Sequence, residues 1–160
     1  MAASQGTMNN FVWGNEVFQN YETIAGGAGA GPGFKGCDAV QTHMTNTKMT
    51  DPEILEKRFP VRLRTFSIRK GSGGRGAYRG GHGAYRRLEF LTDVTVTTLC
   101  SHREVPPFGT AGGNHGSTGK NWAELPDGTR VDLKGNDEID LPAGSVFGLA
   151  TPGGGGWGST

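Results

Sequence analysis

The sequence is short of cysteine, of net charge and of long apolar runs, and each shortage closes off a class of protein. Cys37 and Cys100 are the only cysteines. They stand far apart and form no C-x-x-C pair, which removes the usual signatures of a structural zinc site or a dithiol redox centre. The plain expectation is two buried or half-exposed thiols that pack as small hydrophobes. Sixteen Lys and Arg against 15 Asp and Glu leave a formal charge of +1, too small to draw the chain onto nucleic acid or an anionic membrane by its overall field. No apolar run approaches the ~18 residues of a membrane span, and residues 1–10 lack a basic segment leading into an apolar one, so no membrane association and a cytoplasmic location are expected.

Core-forming residues are also scarce. Hydrophobic residues make up 34% of the chain and 29 positions are glycine, a balance that suits a scaffold of strands carrying long, shaped loops. A chain of 160 residues can still bury roughly 70% of its unfolded surface, so residues 1–160 are read as a single module.

Short apolar runs bounded by Gly, Asn, Asp and Pro predict a mainly β fold, with mixed or antiparallel sheets, long glycine-rich loops and one short helix near 51–58. Strands are expected at 11–13, 18–24, 61–68, 84–91, 94–99 and 145–150. A hairpin is expected where 122–125 and 129–133 flank Pro126-Asp127-Gly128. Within 61–68 the apolar phase switches faces midway, which predicts a bulge or a sheet crossover. Thr50-Asp51-Pro52-Glu53 fits a capping box with Thr50 as the cap, and Phe59-Pro60 ends the helix. No period of 20 to 50 residues repeats, which excludes a solenoid or propeller.

Charge is segregated. Residues 62–87 hold eight Lys or Arg and no acid, whereas 124–140 is mostly acidic, so a positive and a negative face are expected. The segment 69–81 mixes Arg, Gly and Tyr as RNA-binding tails do, but Arg79-Gly80-Gly81 occurs once, between two strands. Such tails act through repetition, so nucleic acid is not the expected partner. A loop binding a carboxylate, a phosphate or an acidic segment through Arg69, Ser72, Arg75 and backbone amides is the better reading. The glycine run 26–33 lacks G-K-[ST] and a following helix, so it reads as a close backbone crossing and not as a phosphate cradle. The acidic stretch 137–140 reads as a solvated edge. His43 lies in a cluster of hydroxyls and amides that can orient a substrate or simply satisfy a turn. His82, His102 and His115 have no i,i+4 partner, and no G-x-S-x-G elbow is present. No metal site and no catalytic residue can be assigned from the residues themselves.

Seven strings occur in order: Ala3-Ser4-Gln5-Gly6-Thr7-Met8-Asn9-Asn10, Tyr21-Glu22-Thr23, Gly29-Ala30-Gly31-Pro32-Gly33, His43-Met44-Thr45-Asn46-Thr47, Thr50-Asp51-Pro52-Glu53, Arg69-Lys70-Gly71-Ser72-Gly73-Gly74 and Thr151-Pro152-Gly153-Gly154-Gly155-Gly156. Together they resemble the carboxy-terminal segment of the hydantoinase B/5-oxoprolinase family. The resemblance implies an ATP-dependent amidohydrolase that opens 5-oxoproline to glutamate or a hydantoin to a carbamoyl amino acid, with related members that carboxylate ketones. It implies as partners an ATPase-type hydantoinase A subunit or domain, the upstream part of the B subunit and a small cyclic amide. ATP and a divalent metal are expected on those other parts, and this segment is expected to be inactive alone. Asn9, Asn10, Glu22, His43 and Asn46 are the polar residues expected to line the cleft or the seam with the upstream part, with Gly29, Gly31 and Gly33 allowing backbones to approach. A subunit-interface module and an Arg/Gly-rich nucleic-acid-binding module remain as alternatives.

Overall fold

The computed structural model describes residues 1–43 and 45–160. Nine strands and one helix follow in chain order: β1 (Asn9–Gly14), β2 (Gln19–Thr23), α1 (Pro52–Arg58), β3 (Val61–Arg69), β4 (Gly83–Phe90), β5 (Val94–Cys100), β6 (Lys120–Glu124), β7 (Arg130–Leu133), β8 (Asn136–Leu141) and β9 (Val146–Ala150). They form a four-stranded sheet ordered β2-β1-β5-β8 and a five-stranded sheet ordered β3-β4-β9-β6-β7. Every strand pairing is antiparallel. The fold is therefore mainly β, and no helix among the described residues is long and apolar enough to cross a membrane.

The core lies where the two sheets face each other. Side chains of a strand alternate between faces, so β1 points Phe11 and Trp13 inward and β5 points Val94 and Val96 inward, where they meet Leu88, Phe90, Phe147 and Leu149 of the second sheet. Phe11 packs on Phe147 with ring centroids 4.9 Å apart, and Trp13 lies 5.4 Å from Phe90 and 5.2 Å from Phe59. Each such buried side chain contributes about 1.5–3 kcal/mol, which lets a small number of large residues hold a glycine-rich chain.

The phase switch in β3 is a bulge. Leu63 pairs with Leu88 and Thr65 with Arg87, so Arg64 has no opposite residue. The extra residue returns Phe66 and Ile68 to the face that Val61 and Leu63 occupy, where they lie opposite Arg86 and Ala84 and are half exposed.

Helix α1 is capped one residue later than expected. Asp51, not Thr50, accepts the Glu53 amide at 2.9 Å, Pro52 opens the helix, and Lys57 and Arg58 close it. Asp51 takes the role because its carboxylate sits two residues before the orphan amide, next to the positive end of the peptide dipoles. Leu55 is the one buried residue of the helix, and Glu56 accepts the Leu63 amide at 2.8 Å, tying the helix to β3.

The glycine-rich segments lock together beside the sheets. Successive amides of Gly153, Gly154, Gly155 and Gly156 donate to the carbonyls of Ser117, Gly81, Ala3 and Asn114 at 3.2, 2.9, 2.8 and 2.9 Å. The carbonyls of Gly154, Gly155 and Gly156 accept from Gly74, Ala30 and Thr110. A flat strand bonds to one neighbour on each of two sides, whereas this thread bonds to more segments than two neighbours could supply. Space, not left-handed backbone, demands glycine here. A Cβ on Gly153, Gly154 or Gly155 would lie 1.9, 2.0 or 2.0 Å from the carbonyl oxygen of Ser72, Ala28 or Phe108, and none of the three has a positive φ.

Two further expectations change. The basic stretch 62–87 is neutralised in part, since Arg62 and Arg64 bond to Glu89, Arg79 to Asp38, Arg86 to Glu22 and Arg87 to Glu124, whereas Arg69, Lys70 and Arg75 meet no carboxylate among the described residues. The five paired cations find their acids across a strand or loop. Cys37 is exposed, not packed away, because it sits on the outer side of the glycine-rich layer; Cys100 is half-buried. The acidic stretch 137–140 belongs to β8, an outer strand of the first sheet.

Candidate functional site

At one end of the sheets, segments remote in sequence meet around Gly6. Thr42 donates through its hydroxyl to the Gly6 carbonyl at 3.3 Å and accepts from Gln5 Nε2 at 3.4 Å. Gln5 in turn accepts from Asn9 Nδ2. Asn9 Oδ1 accepts from Arg103 Nη1 at 2.8 Å, and Arg103 Nε and Nη2 both donate to Asn121 Oδ1 at 3.1 and 2.9 Å. Asn121 passes the chain on to the Lys134 carbonyl at 3.1 Å. Gln5, Asn9 and Asn121 are buried, and a satisfied network of this kind fixes the position of every member.

The loop after residue 40 rests on this network. Thr45 donates to the Thr42 carbonyl at 2.6 Å, and Gln41 donates to the carbonyls of Thr23 and Thr47 at 3.3 and 3.4 Å. His43 and Asn46 are exposed on the loop, and His43 holds a left-handed backbone with φ 59°. That conformation is costly for a residue with a Cβ and marks a position held by its surroundings. Met44, part of the same string, lies outside the described residues.

Next to the loop, Glu22 accepts two bonds from Arg86, at 2.6 Å from Nε and 2.9 Å from Nη2, and Met49 Sδ lies 3.2 Å from Arg86 Nη1. The Phe66 ring covers the guanidinium at 5.7 Å. Asn10 is buried and its Oδ1 has no hydrogen-bond partner among the described residues. Asn9, Glu22, His43 and Asn46 are thus brought into one region by Thr42, Gln41 and Met49.

The glycine and anion-loop candidates lie elsewhere. Gly29 and Gly31 are buried, and a Cβ would lie 2.1 Å from the Ala2 carbonyl oxygen in the first case and 2.4 Å from the Phe34 ring in the second; Gly33 is an exposed turn residue with φ 86° and open space around it. The amides of residues 27–31 donate to Pro152, Cys37, Ser4 Oγ, Gly155 and Phe34, so that run has no row of free amides for a phosphate. Arg69 donates to the carbonyls of Thr118 and Thr151 at 2.8 and 3.0 Å, and Ser72 joins the Arg69 carbonyl to the Gly83 amide. Arg75 is exposed, and its carbonyl accepts from Asn114. The three side chains do not converge.

His102 also has a left-handed backbone, φ 53°, and its ring lies against Gly6. Its Nδ1 is 2.8 Å from the Val105 carbonyl, which can only accept, so the neutral ring carries its proton there and leaves Nε2 as an acceptor. Burial raises the Cys100 thiol above its ordinary range despite the nearby Arg103, so it stays protonated at neutral pH. Burial also lowers the Arg103 proton affinity, although guanidinium remains charged. Among the described residues no group of three His, Cys, Asp or Glu could hold a metal ion; the donors present do not fit one. Arg86, Arg103 and Asn121 belong to no string that marks them in sequence, since their partners lie 64, 94 and 18 residues away.

The class defined by these features is a two-sheet antiparallel module with a glycine-threaded layer and a buried amide–guanidinium network. The chain belongs to the hydantoinase B/oxoprolinase family, whose family model matches residues 1–160. It is 48% identical to 5-oxoprolinase 1 of Arabidopsis thaliana over 99% of this chain and 12% of that protein. It is 46% identical to a 5-oxoprolinase of Dictyostelium discoideum over 98% of this chain and 12% of that one. In fold it is similar to the ATP-dependent caprolactamase from Pseudomonas jessenii, with a TM-score of 0.79 at 24% identity, covering 99% of this chain and 30% of the caprolactamase chain. The chain thus spans about an eighth of the length of these two 5-oxoprolinases.

Proposed function

We propose that the chain acts as the carboxy-terminal part of an ATP-dependent enzyme that opens a cyclic amide, with 5-oxoproline to glutamate as the reaction. The names of the relatives at 48% and 46% identity favour that ring. A lactam carbonyl is a poor electrophile, and phosphorylation of its oxygen with ATP as co-substrate supplies a leaving group and the driving force. In this reading the ATPase-type hydantoinase A part, the upstream B part and a divalent metal on those parts carry the chemistry, in the cytoplasm. This chain contributes the exposed His43 and Asn46 to the cleft. The carrying observation is the Thr42 link to Gly6 and Gln5, which ties the family-like string 3–10 to the residue just before the string 43–47, to which Thr42 is in turn bonded through Thr45.

The chain alone is expected to show no 5-oxoproline- or hydantoin-dependent ATP hydrolysis, and addition of the upstream and ATPase parts is expected to restore it. Turnover by the isolated chain without ATP overturns the reading.

One observation favours a second reading, a subunit-interface module. Val12, Tyr21, Thr97 and Leu99 line a groove of about 580 Å³ on the outer face of the first sheet, with Tyr21 56% and Leu99 44% exposed. Sedimentation of the chain as a clean monomer at low salt, and failure to bind the upstream part, would count against it.

A further inference from the structure

We propose that Arg103, together with Lys134, forms a binding site for a carboxylate. The observation behind it is a charge without a counter-charge. Arg62, Arg64, Arg79, Arg86, Arg87 and Arg130 each meet a carboxylate. Among the described residues Arg103 meets only neutral oxygens: Asn9 Oδ1 and the Ser101 carbonyl from Nη1, both at 2.8 Å, and Asn121 Oδ1 from Nε and Nη2. Withdrawing a cation from water is costly unless an anion or a full set of acceptors replaces the water. The side chain is also clamped: Gly119 lies on the guanidinium so closely that a Cβ there would be 2.2 Å from Nη1.

A guanidinium has five N–H donors, and the four bonds above leave one hydrogen of Nη2 uncommitted. Two cavities of about 340 and 400 Å³ meet at this side chain, and Arg103, Glu104, Lys134 and Gly135 line both. Lys120, Arg130 and Asp132 line the first, where Arg130 and Asp132 neutralise each other at 3.1 Å. Three cations, Arg103, Lys120 and Lys134, then face one acid, Glu104. Arg69 adds to the excess, since it too is held by carbonyls alone, on the neighbouring Thr118. One guanidinium hydrogen and one ammonium offer two donor points for the two oxygens of a carboxylate. Glu104 on the rim opposes a dianion, so a phosphate is the poorer ligand.

The carboxylate can be a small organic acid from solution or an Asp or Glu side chain of a companion polypeptide. The test follows the Arg103 Nε–H resonance of the 160-residue chain by NMR at constant ionic strength. Titrants are sodium acetate, sodium glutamate, the blocked peptide acetyl-Ala-Glu-Ala-amide and inorganic phosphate. A saturable shift with carboxylates is expected, roughly tenfold weaker in Lys134→Gln, the loss of one charge-assisted bond; followed instead at the Asn121 side-chain amide, which bonds to Arg103, the shift is expected in the parent chain and absent in Arg103→Lys. Tighter binding of the free acids assigns the site to a metabolite; tighter binding of the peptide assigns it to a protein side chain. Absence of a saturable shift, tighter binding of phosphate than of acetate, or unchanged affinity in Lys134→Gln overturns the proposal. Lys134→Gln alters only a side chain outside the buried network, so the test stands even where Arg103→Lys fails to fold.

Discussion

Arg86 of β4 reaches across the gap between the sheets and holds both carboxylate oxygens of Glu22 on β2, with 2% of the arginine side chain and 9% of the glutamate side chain exposed. Removal of one partner leaves a buried charge with no counter-charge. Glu22→Gln or Arg86→Met alone is therefore expected to cost about 3–5 kcal/mol, and Glu22→Leu with Arg86→Met together markedly less than the sum. Urea denaturation of the three variants checks this; additive losses would show that the two side chains do not act as a pair.

Glycines of the two kinds should respond differently to a methyl group. In Gly154→Ala the new Cβ lies 2.0 Å from the Ala28 carbonyl oxygen, and backbone must move, at a cost of about 3 kcal/mol or more. In Gly33→Ala the Cβ meets open space and only the positive φ is strained, at about 1 kcal/mol. Thermal unfolding of both ranks them; equal losses would contradict close approach as the reason for the glycine-rich layer.

The cap of α1 can be located by mutation. Asp51→Ala is expected to cost about 1 kcal/mol, and Thr50→Ala close to nothing. A lower melting temperature for the Thr50 variant than for the Asp51 variant would place the cap where the sequence pattern puts it.

His82 links stability to acid. Burial and the charge of Arg79, with a smaller effect from Lys70, lower its pKa from the ordinary 6.5, while Asp38 opposes them. Its Nδ1 accepts the Gly73 amide at 3.1 Å, so the neutral ring is the one that fits. A base with a lowered folded-state pKa leaves the unfolded chain binding more protons below 6.5, so its contribution is full above that pH and is lost as pH falls through the folded value. Asp38 works at lower pH. Burial alone would raise it, but bonds from Arg79 and the His82 amide and the Arg79 charge outweigh burial, and its contribution is lost as pH falls below 3.8. His82→Asn, which keeps an acceptor and cannot titrate, is expected to flatten the decline that starts just below pH 6.5. An unchanged pH profile in urea denaturation counts against this.

Much of the secondary structure was legible because it depends on near neighbours. Short apolar runs bounded by turn residues marked β1, β2, β4, β5 and β9, Pro126-Asp127-Gly128 marked the β6–β7 hairpin, and the phase change within 61–68 marked the bulge. β8 was not among the expected strands, because an outer strand needs only Ile139 and Leu141 inward and fills much of the rest with acids. The polar network was not legible. Gln5, Asn9, Arg103 and Asn121 carry no spacing rule, because their bonds join separate segments and cross as many as 94 residues.

The sequence by itself determined that this is a strand-rich chain with ordered glycine-rich connections, since short apolar runs and turn residues act over a few positions. It also carried the family resemblance that the whole-length match bears out. Only the tertiary structure decided which β neighbours join into two sheets, which acids neutralise Arg62, Arg64, Arg79, Arg86, Arg87 and Arg130, and that the guanidinium of Arg103 is held by neutral oxygens. Those choices rest on contacts between distant segments, where burial turns a polar group without a partner into a large cost and so makes the partner, not the local pattern, the deciding factor.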